Sequence, residues 1–422
     1  MKCLPMKYMT ETKRLALAAT VITVFLLAGC SKKSNSDAEH EPAQEQRVNN
    51  IPIDTALSRR LADFAARPRP QGQFAFYVYD LTAEKPVYGC NETLALPSAS
   101  CMKLLSGIAG LDLLGTNYHY QTQLLMRGKV GAEGMLNGDV AFKASLDPQL
   151  MEADVVTLAK GLKEKGIKRM TGKLYVDLTI AEPVKSEPHW FPWDLSFSKY
   201  GLFYKGAPRV VRALKASLRG QGIAVADSQV VMSPVPQGFT CVSTLKRPVD
   251  DVVHRMWKNS SNTQATAMLY TIGHRINPKA DPVAMGVKYL RDFLHRKIGM
   301  TDSTLVVHDG CGLCVYNRLS PKALTEILRY GYMRPDIRMS LQRNLSVSGT
   351  DGTLAREMTG PKTRGKIWGK TGTLSHPYGI SSLAGLCKGA NGHTLAFAIM
   401  DSEMSVLDAR VLQRRLCEVM VE

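Results

Sequence analysis

Strands stand near both ends of the folded part of this chain. Gln73 to Leu81 alternates apolar and polar side chains with a period of two, and Lys85 to Tyr88 supplies a candidate partner. At the far end, Gly365–Thr373, Gly379–Lys388 and Thr394–Met400 read as three more strands, followed by a helix over Ser405–Val421. The stretch between is dominated by helical periodicity, with helices predicted over Ser98–Leu114, Ala207–Arg219, Val249–Arg275, Val283–Lys297 and Pro321–Gly331, after a first helix at Ala56–Arg67. Strands contributed by both ends predict one sheet closed by the two termini, with helices packed on it and any insertion in the middle. Tyr118–Thr171, which mixes short strand-like pieces with a helix at Ala153–Lys165, and the strand Lys173–Ile180 form that expected insertion. The aromatic, proline-bearing stretch His189–Tyr200 reads as its junction. A length of 422 residues leaves room for two or three such units.

The first thirty residues set the compartment. Lys2, Lys7, Lys13 and Arg14 precede fourteen uncharged residues, Leu15–Ala28, and the run ends in Leu27-Ala28-Gly29-Cys30. The run is shorter than the ~18 to 20 residues that cross a bilayer as a helix, and small residues stand before the cysteine. The segment resembles a bacterial lipoprotein signal over residues 1–29, with lipid attached at Cys30. Residues 30–52 are polar and charged, as suits a flexible tether. The chain is therefore expected to be an exported lipoprotein of the periplasm, anchored to a membrane through Cys30; Ser31 resembles an outer-membrane address.

Charge first points elsewhere. With 54 Lys+Arg against 37 Asp+Glu the net charge is +17, which invites a nucleic-acid reading. Removal of residues 1–29 takes four basic residues and one acid, leaving +14, and export takes the protein away from intracellular nucleic acid. Nine cysteines fall to seven once Cys3 and Cys30 are set aside, an odd number that leaves at least one thiol free within the chain. Cys311-x-x-Cys314 has no second Cys/His pair at ligand spacing, so no metal is expected.

Three short motifs carry chemistry: Ser100-x-x-Lys103, Ser260-x-Asn262 and Lys370-Thr371-Gly372. Ser-x-x-Lys also occurs at Ser196/Lys199 and Ser243/Lys246, but only Ser100 starts an uninterrupted apolar run of helical length. Residues three apart share a helix face, so Lys103 reaches the Ser100 hydroxyl, and a desolvated ammonium can lose its proton and act as base. Gly372 on a predicted strand is expected to let substrate backbone approach the strand edge.

In this order the three motifs resemble the active site of penicillin-binding proteins and serine β-lactamases. The blocks Pro97–Leu105, Lys258–Asn262 with Ile272-Gly273-His274, His308–Leu313, Asn317–Pro321 and Thr350–Leu354 narrow this to the D-alanyl-D-alanine carboxypeptidase/endopeptidase family of penicillin-binding protein 4, over most of residues 70–402. The resemblance implies an α+β fold of the β-lactamase/DD-peptidase type, an antiparallel sheet with flanking helices and a helical subdomain, carrying an inserted second α/β domain. Its catalytic domain would comprise 53–115 and 206–422 and the insertion 116–205. It implies Ser100 as nucleophile, Lys103 as general base, Ser260 as proton relay to the leaving amine, and Asn262 as the holder of Lys103 and the substrate amide. Lys370, Thr371 and Thr373 would bind the terminal carboxylate beside Gly372, the N–H groups of Ser100 and Thr373 would form the oxyanion hole, and Asp177 matches an acidic substrate-side position of the second domain. No cofactor is implied; the partners would be peptidoglycan peptides, with β-lactams as inhibitors.

Departures from the family pattern lie on the substrate side. Cys311, Cys314 and Val315 interrupt a block that usually ends in an arginine, for which Arg318 is the candidate substitute, and Ser375 with His376-Pro377-Tyr378 replaces a shorter turn after Lys-Thr-Gly. The 160 residues from Ser100 to Ser260 imply that a third inserted domain is absent. Alternatives are a serine β-lactamase, against which the absence of any Tyr-x-Asn speaks, and a non-catalytic cell-wall-binding homologue.

Overall fold

The computed structural model describes residues 50–69, 71–197 and 200–422; the expected signal segment, Cys30 and the tether up to residue 49 lie outside them. Helix α1 (Thr55–Ala65) leads into β1 (Gln73–Asp80) and β2 (Lys85–Cys90); a 3₁₀ turn (Ala99–Cys101) then opens α2 (Met102–Leu114). A second set follows: β3 (His119–Val130), β4 (Met135–Ala144), α3 (Glu152–Glu164), β5 (Arg169–Met170), β6 (Leu174–Leu178), α4 (Ala207–Gly220), β7 (Val230–Met232) and β8 (Thr240–Pro248). The chain returns through α5 (Val249–Lys258), α6 (Asn262–Ile276), α7 (Pro282–Arg296), α8 (Pro321–Tyr332) and α9 (Pro335–Asn344). It ends with β9 (Ser346–Val347), β10 (Ile367–Leu374), β11 (Ile380–Lys388), β12 (Thr394–Ser402) and α10 (Val406–Val421).

The two ends meet as the patterning predicts. The first sheet has the order β2-β1-β12-β11-β10-β9 and is antiparallel throughout, with β1 against β12 from Gln73↔Ser402 to Asp80↔Leu395. All nine residues of β12 are buried, as a central strand covered on both faces requires. The period of two divides β1 between two cores. Phe74, Phe76 and Val78 pack with α1 and α10, while Ala75, Tyr77 and Tyr79 face the core built on α2 and α8. Helix α2 is buried from Met102 to Leu111 on every side, so the lysine inside it is enclosed by the fold itself.

Two sequence expectations need correction. The second sheet, β7-β6-β4-β3-β8 with β5 beside β4, takes strands from beyond residue 205: β8 lies antiparallel to β3 and β7 parallel to β6. The inserted layer thus runs from β3 to Pro248 rather than stopping at 205, because strand pairing between distant segments leaves no local mark. The helix expected over Val249–Arg275 is also two helices. The break at Asn259–Ser261 holds Ser260 at φ 57°, a left-handed conformation that costs a serine roughly 1 kcal/mol or more and persists where the surroundings impose it.

Candidate active site

The break after α5 and the turn before α2 face each other across the end of β10 that runs on beyond its pairing with β9. Ala99 is held at φ 43° immediately before Ser100, which strains the approach to the helix and sets the serine at its start. Three residues on, Lys103 has no exposed surface. Its Nζ lies 2.7 Å from Ser100 Oγ, 2.8 Å from Asn262 Oδ1 and 2.5 Å from the carbonyl of Cys311.

These partners count hydrogens. A carbonyl and an amide oxygen only accept, so Cys311 and Asn262 take two N–H bonds. The third position faces a hydroxyl, which either accepts from an ammonium or donates to the lone pair of a neutral amine. Burial pushes the Lys103 ammonium below its ordinary value, favouring the second arrangement. The geometry is that of a base with its two spare hydrogens already engaged.

The Cys311 carbonyl is placed by Asp309, a buried carboxylate that accepts from the backbone N–H groups of Cys311 (3.1 Å), Gly312 (2.6 Å) and Cys314 (2.8 Å), from Asn317 Nδ2 (3.0 Å) and from Trp190 Nε1 (2.9 Å). Burial raises the Cys311 thiol well above its usual value and takes Cys314 to about 11, so both remain neutral, and Cys311 contributes its backbone alone. All seven cysteines from Cys90 to Cys417 are unpaired. Arg318, the candidate substitute, donates through Nη1 to the carbonyls of Val315 (2.7 Å) and Asn317 (3.3 Å) in its own loop.

From the strand side, Lys370 is likewise fully buried and donates to Ser260 Oγ (2.8 Å) and to the Thr371 carbonyl (2.6 Å). Burial, then the nearby charge of Lys103, lowers it to about 7. The two lysines therefore titrate as a pair. Thr371 Oγ1 lies 2.8 Å from Thr353 Oγ1, and Thr353 is pinned by its N–H to Ser346 Oγ at 3.0 Å; the ion pair Lys258–Asp351 (2.7 Å) ties the same turn to the end of α5. In sequence the Thr350–Leu354 block gives Thr353 no role, because its contact with Thr371 is made only when β9 and β10 pair.

Gly372 also has a packing role. A Cβ there would stand 2.2 Å from Ser382 Oγ, 2.9 Å from the Ser98 carbonyl and 3.0 Å from the Ser100 nitrogen. The glycine thus lets β10 seat against the turn bearing the nucleophile. Ser100, Ser260 and Thr371–Thr373 line a cleft of about 350 Å³ that continues past Thr353 to Arg410 and Arg414 of α10. Those two arginines left no sequence signal, because only the sheet brings α10 to the cleft. Asp177 does not join it: on β6, in the other sheet, its carboxylate accepts from the Val235 N–H at 3.3 Å.

Comparison with known proteins agrees with this architecture. The chain is 20% identical over 413 residues to the D-alanyl-D-alanine carboxypeptidase DacB of Haemophilus influenzae, covering 78% of this chain and 85% of that relative. It is 22% identical to the D-alanyl-D-alanine carboxypeptidase of Actinomadura sp., covering 77% of each. The crystal structure of penicillin-binding protein 4 (dacB) from Haemophilus influenzae shares the fold with a TM-score of 0.71, over 86% of this chain and 99% of that one, at 17% identity. Since the chain also matches the D-Ala-D-Ala carboxypeptidase 3 (S13) family over residues 57–201 and 204–420, nearly the whole of the folded part, it belongs to that family.

Proposed function

We propose that the protein is a serine DD-peptidase that removes the terminal D-alanine from peptidoglycan stem peptides, and cleaves D-Ala cross-links by the same route, through an acyl-enzyme at Ser100. The observation that carries this is the contact of one buried lysine with the Ser100 hydroxyl at 2.7 Å, its other hydrogens held by Asn262 and Cys311. The substrate carboxylate is placed against Lys370, Thr371 and Thr373. Ser100 Oγ attacks the penultimate carbonyl carbon while its proton passes to Lys103 Nζ, and the oxyanion meets the N–H groups of Ser100 and Thr373. Collapse breaks the C–N bond, and the amine leaves with the proton that Lys103 took from Ser100, delivered through Ser260. Water then attacks the ester and gives a proton to Lys103, which returns it to Ser100 Oγ as the C–O bond breaks and the shortened peptide is released. Each catalytic group is one the sequence proposes, and the strain at Ala99 and Ser260 supports a built site.

Carboxylate arrival gives the pair a direction. An anion beside Lys370 favours its charged form, and that charge in turn favours the neutral form of Lys103. Substrate binding thereby readies the base. Intact-mass measurement after penicillin treatment should show one added drug mass, located on the peptide containing Ser100, and a pentapeptide should yield free D-alanine. An unchanged mass, or an adduct on another residue, would sink the proposal. Steady hydrolysis of nitrocefin in place of a long-lived adduct would favour the β-lactamase alternative.

The proposed setting is the cell envelope, reached as a lipoprotein processed at Cys30. The sequence pattern of residues 1–30 supports this, and so does the basic surplus of +14 beside an anionic wall. Cys30→Ser is expected to abolish incorporation of radiolabelled palmitate; retained label would refute the assignment.

A further inference from the structure

Helix α6 starts with a capping box that is not closed. Ser261 at its N-cap and Gln264 three residues on are the residue types that cap each other's N–H groups, the serine hydroxyl accepting from the Gln264 N–H. Here the Ser261 hydroxyl donates instead to Gln264 Oε1, and the Ser261 N–H goes to the Arg255 carbonyl at 3.1 Å. The two side chains satisfy one another, and the N–H groups of Asn262, Thr263 and Gln264 meet no acceptor among the described residues. A 15-residue helix thus presents open donors together with the positive end of its dipole.

A cavity of about 600 Å³ opens there, lined by Arg255, Asn259 and the turn from Ser260 to Gln264. Two side chains on its wall are nearly buried yet incompletely bonded. Thr263 and Gln264 are each 3% exposed, and neither Thr263 Oγ1 nor Gln264 Nε2 has a hydrogen-bond partner among the described residues. Neither atom is sealed, unlike Thr266 Oγ1 one turn farther along the helix. The Arg255 side chain is exposed and likewise unpaired among the described residues. No acid lines the cavity, and Lys103 and Lys370 stand behind it, bonded to Asn262 and Ser260 at 2.8 Å each. Donors without acceptors in a positive field are explained when an anion completes them.

We propose that the start of α6 binds an oxyanion, a carboxylate or phosphate group, with Arg255, the Thr263 hydroxyl, the Gln264 amide and the open N–H groups as its donors. A carboxylate offers about four lone-pair sites, which this set of donors can fill. The site takes no residue of β10, so it is distinct from the carboxylate seat proposed at Lys370, Thr371 and Thr373. It adjoins the nucleophile through Ser260, which lines both spaces. Two sources of the anion fit that position: an acidic side chain of the peptide being cleaved, or a free inorganic ion. Only the first of these rests on the peptidase reading.

Titration of the full chain, labelled with nitrogen-15, with sodium phosphate at fixed ionic strength tests the site. The amide signals of Thr263 and Gln264 should shift and saturate with a Kd of about 1 mM or tighter, reasonable for so few heavy atoms. Phosphate held at Lys370 would move the amides of Thr371 and Thr373 instead. Arg255→Gln should weaken the response of Thr263 and Gln264 about tenfold or more. If that variant fails to fold, the two wild-type amides decide the matter. Acetyl-L-glutamyl-D-alanyl-D-alanine and its glutaminyl counterpart then identify the source. An anion carried by the peptide gives the glutamyl substrate a kcat/KM about tenfold higher, an advantage that Arg255→Gln erases; equal values beside a saturable phosphate shift identify a free ion. Failure to cleave either peptide would sink the peptidase reading and leave the amide test standing. No saturable shift of Thr263 and Gln264 up to about 50 mM phosphate, or unchanged affinity in a folded Arg255→Gln protein, would overturn the proposal.

Discussion

Replacing Lys103 with methionine is expected to slow acylation of Ser100 by roughly 10²–10⁴-fold, the range that a positioned general base supplies. Methionine keeps an unbranched side chain of similar length in the sealed interior of α2 and removes a desolvated amine, so the helix should persist. The substitution deprives Asn262 Oδ1 and the Cys311 carbonyl of their donor, costing about 1–3 kcal/mol for each group left buried and unpaired. Stopped-flow labelling with a fluorescent penicillin measures the rate, and circular dichroism checks the fold. A folded Lys103→Met protein that acylates within tenfold of wild type would remove Lys103 from the mechanism.

Lys370→Met should lower kcat/KM on a carboxylate-terminated peptide by about 10²–10³-fold, the loss expected when one preorganised donor is deleted from a low-dielectric site. The pH dependence identifies the cause. With Lys103 charged, Lys370 loses its proton near pH 7, so below that value both lysines are charged and no base is available. The productive form carries one proton on the pair. Wild-type kcat/KM should therefore rise with pH through an apparent pKa of about 7 and fall again at higher pH as the remaining proton leaves. In Lys370→Met the limb near 7 should vanish, since Lys103 no longer has a charged neighbour. A limb that stays in place in the variant would assign it to another group and break the proposed coupling.

Much of this site is readable one short segment at a time. Ser100 and Lys103 share a turn, and β10 with its Lys-Thr-Gly reads as a strand by period, so their chemistry is local. The closure of the sheet follows from strands at both ends of the chain. What depends on distant pairing is silent: β8 joining β3, Thr353 meeting Thr371, and α10 bringing Arg410 and Arg414 to the cleft. The break at Ser260 is hidden for another reason. Helical periodicity continues through Asn259–Ser261, and only tertiary contacts impose the positive φ. The bonds of Arg318 to its own loop carbonyls are likewise invisible in sequence, since they depend on how the loop folds.

The ladder between β1 and β12 also has a meaning in time. Gln73 pairs with Ser402, so the strand that begins the sheet waits for one of the last segments to arrive. Lys370 and Thr371 lie on β10, which reaches β1 only through β11 and β12. A chain emerging from its amino end exposes Ser100 and Lys103 long before the wall that would hold a substrate carboxylate exists. The site is therefore incomplete until the carboxyl end of the chain has paired into the sheet.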